Sequence, residues 1–252
     1  MKKYVQEATD ENIWTSIKNN TFGRNKDIKD FIDGLELIDE SACISLDAKW
    51  GDGKTFFVRQ IEEVLKYVLA NQRADEENPI EKLPSYEYLK DNEMMAKIDL
   101  KHSYLPIYYN AWMYDNHSDP LMSLLLVMTK TCRGVYDTKI DSEKISKKLV
   151  EALATLPISL GEFKANPFTA IEKLQGKSMD ILSLVQTEEE IRERVKGIFN
   201  DIIVERAQKL VIFIDELDRC RPSFAIEMLE RIKHYFDDER VIFVVSLSLI
   251  HI

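Results

Sequence analysis

Residues 43–57 read CISLDAKWGDGKTFF, and the reading of this stretch decides the fold. It begins inside ACISL, 42–46, a short apolar run of strand length. It ends inside TFFVRQIEEVLKYVLA, 55–70, where Phe57, Ile61, Val64, Leu65 and Val68 recur at helical spacing. Arg59, Glu62, Glu63 and Lys66 fall on the other face of that helix. Strand, glycine-containing turn and helix thus follow one another without a break. Gly51 and Gly53 allow the backbone to aim successive N–H groups at one point, and the positive helix N-terminus faces the same point. Such a corner suits a phosphate, with Lys54 reaching the β- and γ-phosphates of a nucleotide and the Thr55 hydroxyl ligating Mg²⁺. One position departs from G-x-x-x-x-G-K-[ST], because Ala48 stands where the first glycine belongs.

A second motif lies downstream. KLVIFIDELDRC, 209–220, has four apolar residues, Val211 to Ile214, that deliver Asp215 and Glu216 to the end of a buried strand. Either stretch alone has a plain structural explanation: a tight turn with an exposed lysine, or a strand followed by a charged turn. Both at strand ends, in this chain order, point to binding of ATP with Mg²⁺.

The rest of the chain supplies the setting. NKDIKDFIDGLELID, 25–39, places Ile28, Phe31, Ile32, Leu35 and Ile38 at helical spacing. Residues 71–103 turn polar and Pro-punctuated, which predicts a loop carrying a short helix. YLPIYYNAW, 104–112, is a second strand candidate, followed by a helix with Asp119 as N-cap and Pro120 at the first helical position. Residues 133–187 are mixed in pattern and are read as a helical insertion lobe. A helix capped by Thr187 leads to KLVIFID, and PSFAIEMLERIKHYF, 222–236, to the last strand, RVIFVVSLSL. Strands of near-continuous apolar character alternating with helices predict a parallel sheet covered on both faces.

Composition narrows the function. A formal net charge of −10 with pI near 5.1 gives no strong nucleic-acid signal. Cys43, Cys132 and Cys220 are odd in number and without C-x-x-C spacing, so neither disulfide framework nor zinc site is expected, and a reducing, cytoplasmic location fits. No apolar run approaches the ~18 residues of a membrane span. His102, His117, His234 and His251 lack metal spacing. Trp50 and Trp112 are expected to pack in the core or behind the residues of the site rather than to stack on a base. Cys220 is expected to pack beneath its turn, and Lys144, Lys147 and Lys148 to form a solvated helix face.

Three blocks taken together are more specific than either motif alone. They are WGDGKT at 50–55, YNAWMYDNHSDPLMSLL at 109–125, and DELDRC at 215–220 with the helix and strand that follow. On these blocks the sequence resembles the KAP family of P-loop NTPases over about 24–245. The resemblance implies a three-layer α/β fold whose final strand lies between the loop strand and the strand of Asp215. It implies that Trp50, Gly51, Asp52, Gly53, Lys54, Thr55 and Phe56 surround the nucleotide, that Thr55 and Asp215 hold Mg²⁺, and that Glu216 activates water, with Lys54 catalytic beside it. It gives Asp218 and Arg219 no chemistry, a cap and a surface ion pair being equal alternatives. Many relatives carry transmembrane helices where the insertion lies; this chain shows none there.

The expectation is a C-terminally truncated P-loop NTPase domain over 1–246, with 247–252 a doubtful tail and the family's sensor, lid and arginine finger missing. Expected is slow ATP hydrolysis in a nucleotide-gated switch, with a role in phage or plasmid exclusion. An unidentified protein partner or effector and a homo-oligomer are the partner expectations. The rivals are a non-hydrolysing nucleotide-binding scaffold and a small-molecule kinase. For the second, no acceptor motif or Arg-rich lid is visible.

Overall fold

A computed structural model of the chain describes residues 7–49, 51–75, 79–117, 119–134, 193, 195–197, 200, 207–235 and 238–248. These fall into two compact units. The insertion lobe expected at 133–187 lies outside the described residues, except where α5 closes at 133–134, and so does the expected cap Thr187.

The first unit contains four strands: β1 (Ala42–Ala48), β2 (Tyr104–Asn110), β3 (Lys209–Asp215) and β4 (Val241–Ser248). All pairings are parallel and the sheet order is β1-β4-β3-β2, so the last strand in sequence is central. Helices α1 (Asp10–Lys18), α2 (Asn25–Leu35), α3 (Lys54–Gln72) and the single turn α4 (Tyr86–Leu89) belong to the same unit. The parallel P-loop sheet with its extra helices is therefore as the sequence implies. β4 runs on to Ser248, opposite Ala48 of β1.

One sheet face carries Ile44 and Leu46 of β1, Ile242 and Val244 of β4, Val211 and Phe213 of β3, and Tyr104 of β2. Against it pack Ile13 and Ile17 of α1, Ile28, Ile32 and Leu35 of α2, and Val58, Ile61 and Leu65 of α3. Each such aliphatic side chain, fully buried, contributes about 1.5–3 kcal/mol. The opposite-facing residues Leu210, Ile212, Ile214, Phe243 and Val245 are buried as well. At β1 the expectation of cover on both faces fails, since Cys43, Ser45 and Asp47 are exposed. The cause is legible in its sequence: A-C-I-S-L-D-A alternates with period two, which suits a strand with one covered face.

Helix α1 was not anticipated, and it changes the reading of α3. Thr9 caps it by accepting from the Asn12 N–H, and Asp10 and Glu11 sit in its first turn. Lying against α3, α1 covers the face that the periodicity makes polar. Glu62 and Glu63 are consequently buried, 3% and 5% exposed, rather than solvated. Their charges are matched in place. Arg59 pairs with Glu62 and, at 2.7 Å, with Asp10, while Lys66 lies 2.7 Å from both Glu62 and Glu63. The Trp14 indole N–H of α1 donates to Glu63 at 2.6 Å. Buried carboxylates persist only when paired and hydrogen-bonded in this way.

The second unit holds α5 (Pro120–Gly134) and α6 (Pro222–Tyr235). α5 starts as the sequence predicts, with Asp119 Oδ1 accepting from the Leu121 N–H at 2.8 Å. Arg231 of α6 reaches the other oxygen of Asp119 at 3.0 Å, which ties the two helices together. Among the described residues no helix is long and apolar enough to cross a membrane.

Candidate nucleotide site

The loop between β1 and α3 has the backbone that its glycines allow. Gly51 and Gly53 take positive φ, 90° and 81°, whereas Ala48 is the last residue of β1 and does not. The missing first glycine thus imposes no strain, because alanine is costly only where φ must be positive. Trp50 lies outside the described residues. The first turn of α3 carries no acidic side chain and no side-chain cap, so its positive end is left for an anion.

Within this loop Lys54 Nζ donates to Ala48 O at 2.8 Å and Lys49 O at 3.3 Å. The lysine thereby lies along the loop that would wrap the phosphates. Arg24, at the start of α2, supports the loop from outside by donating to Asp52 O at 2.9 Å and Gly53 O at 3.3 Å. A methyl group at Gly53 would meet that guanidinium at 3.3 Å. Phe56 packs its side chain against the hydrophobic core, so its backbone is what remains for a ligand.

The acidic pair arrives from the other side of β4. Because β4 separates β1 from β3, the two strand ends stand about two strand spacings, ~10 Å, apart. Side chains close that gap. Thr55 Oγ1 donates to Glu216 Oε1 at 3.0 Å. Asp215 ends β3 only 1% exposed, and its Oδ2 accepts from the Tyr108 hydroxyl at 3.0 Å. Glu216 adopts the left-handed conformation, φ 61°, which is uncommon for a residue with a Cβ.

Glu216 also pairs with Arg219, whose guanidinium stands 5.9 Å from the centre of the Trp112 ring. Burial pushes the Glu216 carboxyl above its usual range, and the adjacent Asp215 charge adds to the rise. The Thr55 hydroxyl and Arg219 pull the other way without cancelling it. Arg219 therefore forms the ion pair that was one of its two expected roles. Trp112, 56% exposed, is not in the core but takes the other of its two expected places, behind the site, beside the Arg219 that pairs with Glu216. It follows β2 in a 3-10 turn, where the strand periodicity that buries Tyr109 no longer applies. Cys220 lies beneath the turn, its Sγ 3.6 Å from Glu216 O.

The oxygens gathered here, Thr55 Oγ1 and the carboxylates of Asp215 and Glu216, are hard donors of the kind Mg²⁺ takes. Among the described residues no group of three or more His, Cys, Asp and Glu could cage a metal by itself.

The sequence profile of the KAP family P-loop domain matches residues 24–248. The chain belongs to the KAP family. No curated protein matches it. The KAP match begins at Arg24, the residue that props the loop, and takes in β4 to its last residue. α1 precedes it.

Sequence reasoning missed Arg24, Arg59 and Tyr108. Tyr108 had a signal: in the parallel register Asn110 lies opposite Asp215, so Tyr108, two residues back, shares the face of Asp215. That signal becomes usable only once β2 and β3 are known to be neighbours.

Proposed function

We propose that this KAP domain binds ATP with Mg²⁺ and slowly hydrolyses the β–γ phosphoanhydride, serving as a nucleotide-gated switch. The observation that supports this best is the 3.0 Å contact between Thr55 and Glu216, with Asp215 beside it. It brings the two motifs together across β4. Lys54 and the loop N–H groups would bind the phosphates, and Thr55 and Asp215 would hold the metal. Mg²⁺, when bound, neutralises charge on the β- and γ-phosphate oxygens. Glu216 would orient the attacking water and take its proton as the new bond to the γ-phosphorus forms and ADP leaves. A carboxyl raised by burial is suited to that proton transfer. Switching follows if Thr55 and Glu216 exchange their mutual contact for contacts with the nucleotide, so that the loaded and relaxed sites differ.

One observation favours a second reading, a nucleotide-binding scaffold without turnover. Thr55 and Arg219 both engage Glu216, which restrains it from serving as a base. Phosphate release and calorimetry with Mg·ATP separate the two. For a hydrolase, Lys54→Ala loses both binding and turnover, whereas Glu216→Gln keeps binding and loses turnover by at least about 10²-fold. Binding without phosphate release in the wild type would establish the scaffold, and no binding would end both readings. A role in phage or plasmid exclusion rests on family resemblance. Its test is plating efficiency of phage on cells carrying wild type or Lys54→Ala.

A further inference from the structure

The Mg·ATP reading leaves Tyr108 unused, although its surroundings are built with care. The hydroxyl donates to Asp215 Oδ2 at 3.0 Å, and the Arg59 guanidinium stands 4.8 Å from the ring centre. Arg59 is itself fixed, by Glu62 within α3 and by Asp10 of α1 at 2.7 Å. A continuous chain of contacts therefore runs from α1, through Arg59 on the loop helix, to the carboxylate at the end of β3. Its first member, Asp10, lies before the residues that the KAP profile matches.

We propose that Tyr108 is a positioning residue for Asp215, held in place by Arg59 and through it by α1. The inference rests on the Mg·ATP reading of the site. A carboxylate with two equivalent oxygens turns freely unless one is engaged. Tyr108 engages Oδ2, which sets the plane of the group and with it the direction in which Asp215 offers electrons to a metal. Hydrogen-bonded partners of metal-binding carboxylates act in this way, and their loss typically costs 10–100-fold in metal affinity. Stacking of a cation on the ring restricts Tyr108 in turn. An ionised carboxylate only accepts hydrogen bonds, so the phenol is the donor in this contact. Tyr108 is not a catalytic residue, since it reaches no reacting atom.

The test is Mn²⁺ binding in the presence of ATP, followed by electron paramagnetic resonance, together with calorimetry of ATP in EDTA. Tyr108→Phe removes one oxygen atom and keeps the ring under Arg59. It is expected to weaken Mn²⁺ binding about 10- to 100-fold while metal-free ATP binding stays within about twofold. In an Asp215→Asn background, Tyr108→Phe is expected to add nothing further, because its effect runs through that carboxylate. Equal Mn²⁺ affinity in wild type and Tyr108→Phe would overturn the proposal. So would a loss of metal-free ATP binding as large as the loss of Mn²⁺, which would mark a general structural role. If the wild type binds no Mn·ATP, the nucleotide reading itself fails and takes this inference with it. Arg59→Lys retains charge but changes the planar group over the ring, and is expected to weaken Mn²⁺ binding less than Tyr108→Phe does.

Discussion

The Thr55 hydroxyl donates to Glu216 at 3.0 Å, joining the first turn of α3 to the residue after β3 across 161 positions of sequence. Removing the hydroxyl takes a partner from a carboxylate that is mostly buried. Thr55→Ala is expected to lower stability by about 1.5–3 kcal/mol, the usual worth of a hydrogen bond to a charged group. It should also weaken Mg·ATP binding. Thr55→Ser keeps the donor and should restore most of both. Denaturant midpoints and calorimetry on the three proteins decide this, and Thr55→Ala equal to wild type in both would show that the contact contributes nothing.

Gly53 and Ala48 are expected to respond in opposite ways. At φ 81°, Gly53→Ala forces an L side chain into the left-handed region and brings its Cβ to 3.3 Å from Arg24. The backbone term alone costs about 1–2 kcal/mol, and displacement of Arg24 should disturb the loop as well. Ala48→Gly restores the common glycine where φ is not positive, so nucleotide affinity should change by less than about twofold while stability falls by about 0.5–1 kcal/mol. A gain in affinity at Ala48→Gly would show that the alanine does impair the loop.

What could be read in advance divides by the range of the cause. β3 was readable to the residue because KLVIFID is an unbroken apolar run that ends in two acids. α6 and the capped start of α5 were readable because Pro120, Pro222 and Asp119 act on their immediate neighbours. The central place of β4 came from resemblance, since nothing in RVIFVVSLSL names its partners. Glu62 and Glu63 could not be read as buried, because their burial depends on α1, more than forty residues away. α1 itself had a signal, Thr9 before Asp10 and Glu11, with Ile13 and Ile17 one turn apart. Tyr108 needed a register that only folding sets.

Glu36 should make stability depend on acid. Burial alone would raise its carboxyl, but the backbone N–H of His102 at 3.2 Å and the His102 ring at 3.0 Å outweigh it, so the carboxyl sits below the ordinary value of 4.5. A group depressed on folding contributes stability that is full above its unfolded value and is lost as pH falls through its lower folded value. Wild type and Glu36→Gln should therefore differ by about 1–2 kcal/mol at pH 7. The gap should close below about pH 4.5. Urea midpoints at pH 7, 5, 4 and 3.5 measure it, and a gap that does not change with pH would assign the effect to packing.

Lys66 offers the sharpest test of the buried network between α1 and α3. It stands 2.7 Å from both Glu62 and Glu63, and burial, which by itself disfavours its charge, is overcome by those two carboxylates. Lys66→Met keeps the length and apolar volume of the side chain but strands part of that negative charge. Breaking a buried pair from one side typically costs 3–5 kcal/mol. Arg59 on Glu62 and Trp14 on Glu63 share the load, so a loss of about 2–3 kcal/mol is expected. Glu63→Gln in the Lys66→Met background removes one of the stranded charges and should recover part of that loss. Chemical denaturation of both variants checks the sign. If Lys66→Met is neutral, the glutamates are reached by water or bind protons, and α1 does not seal this face of α3.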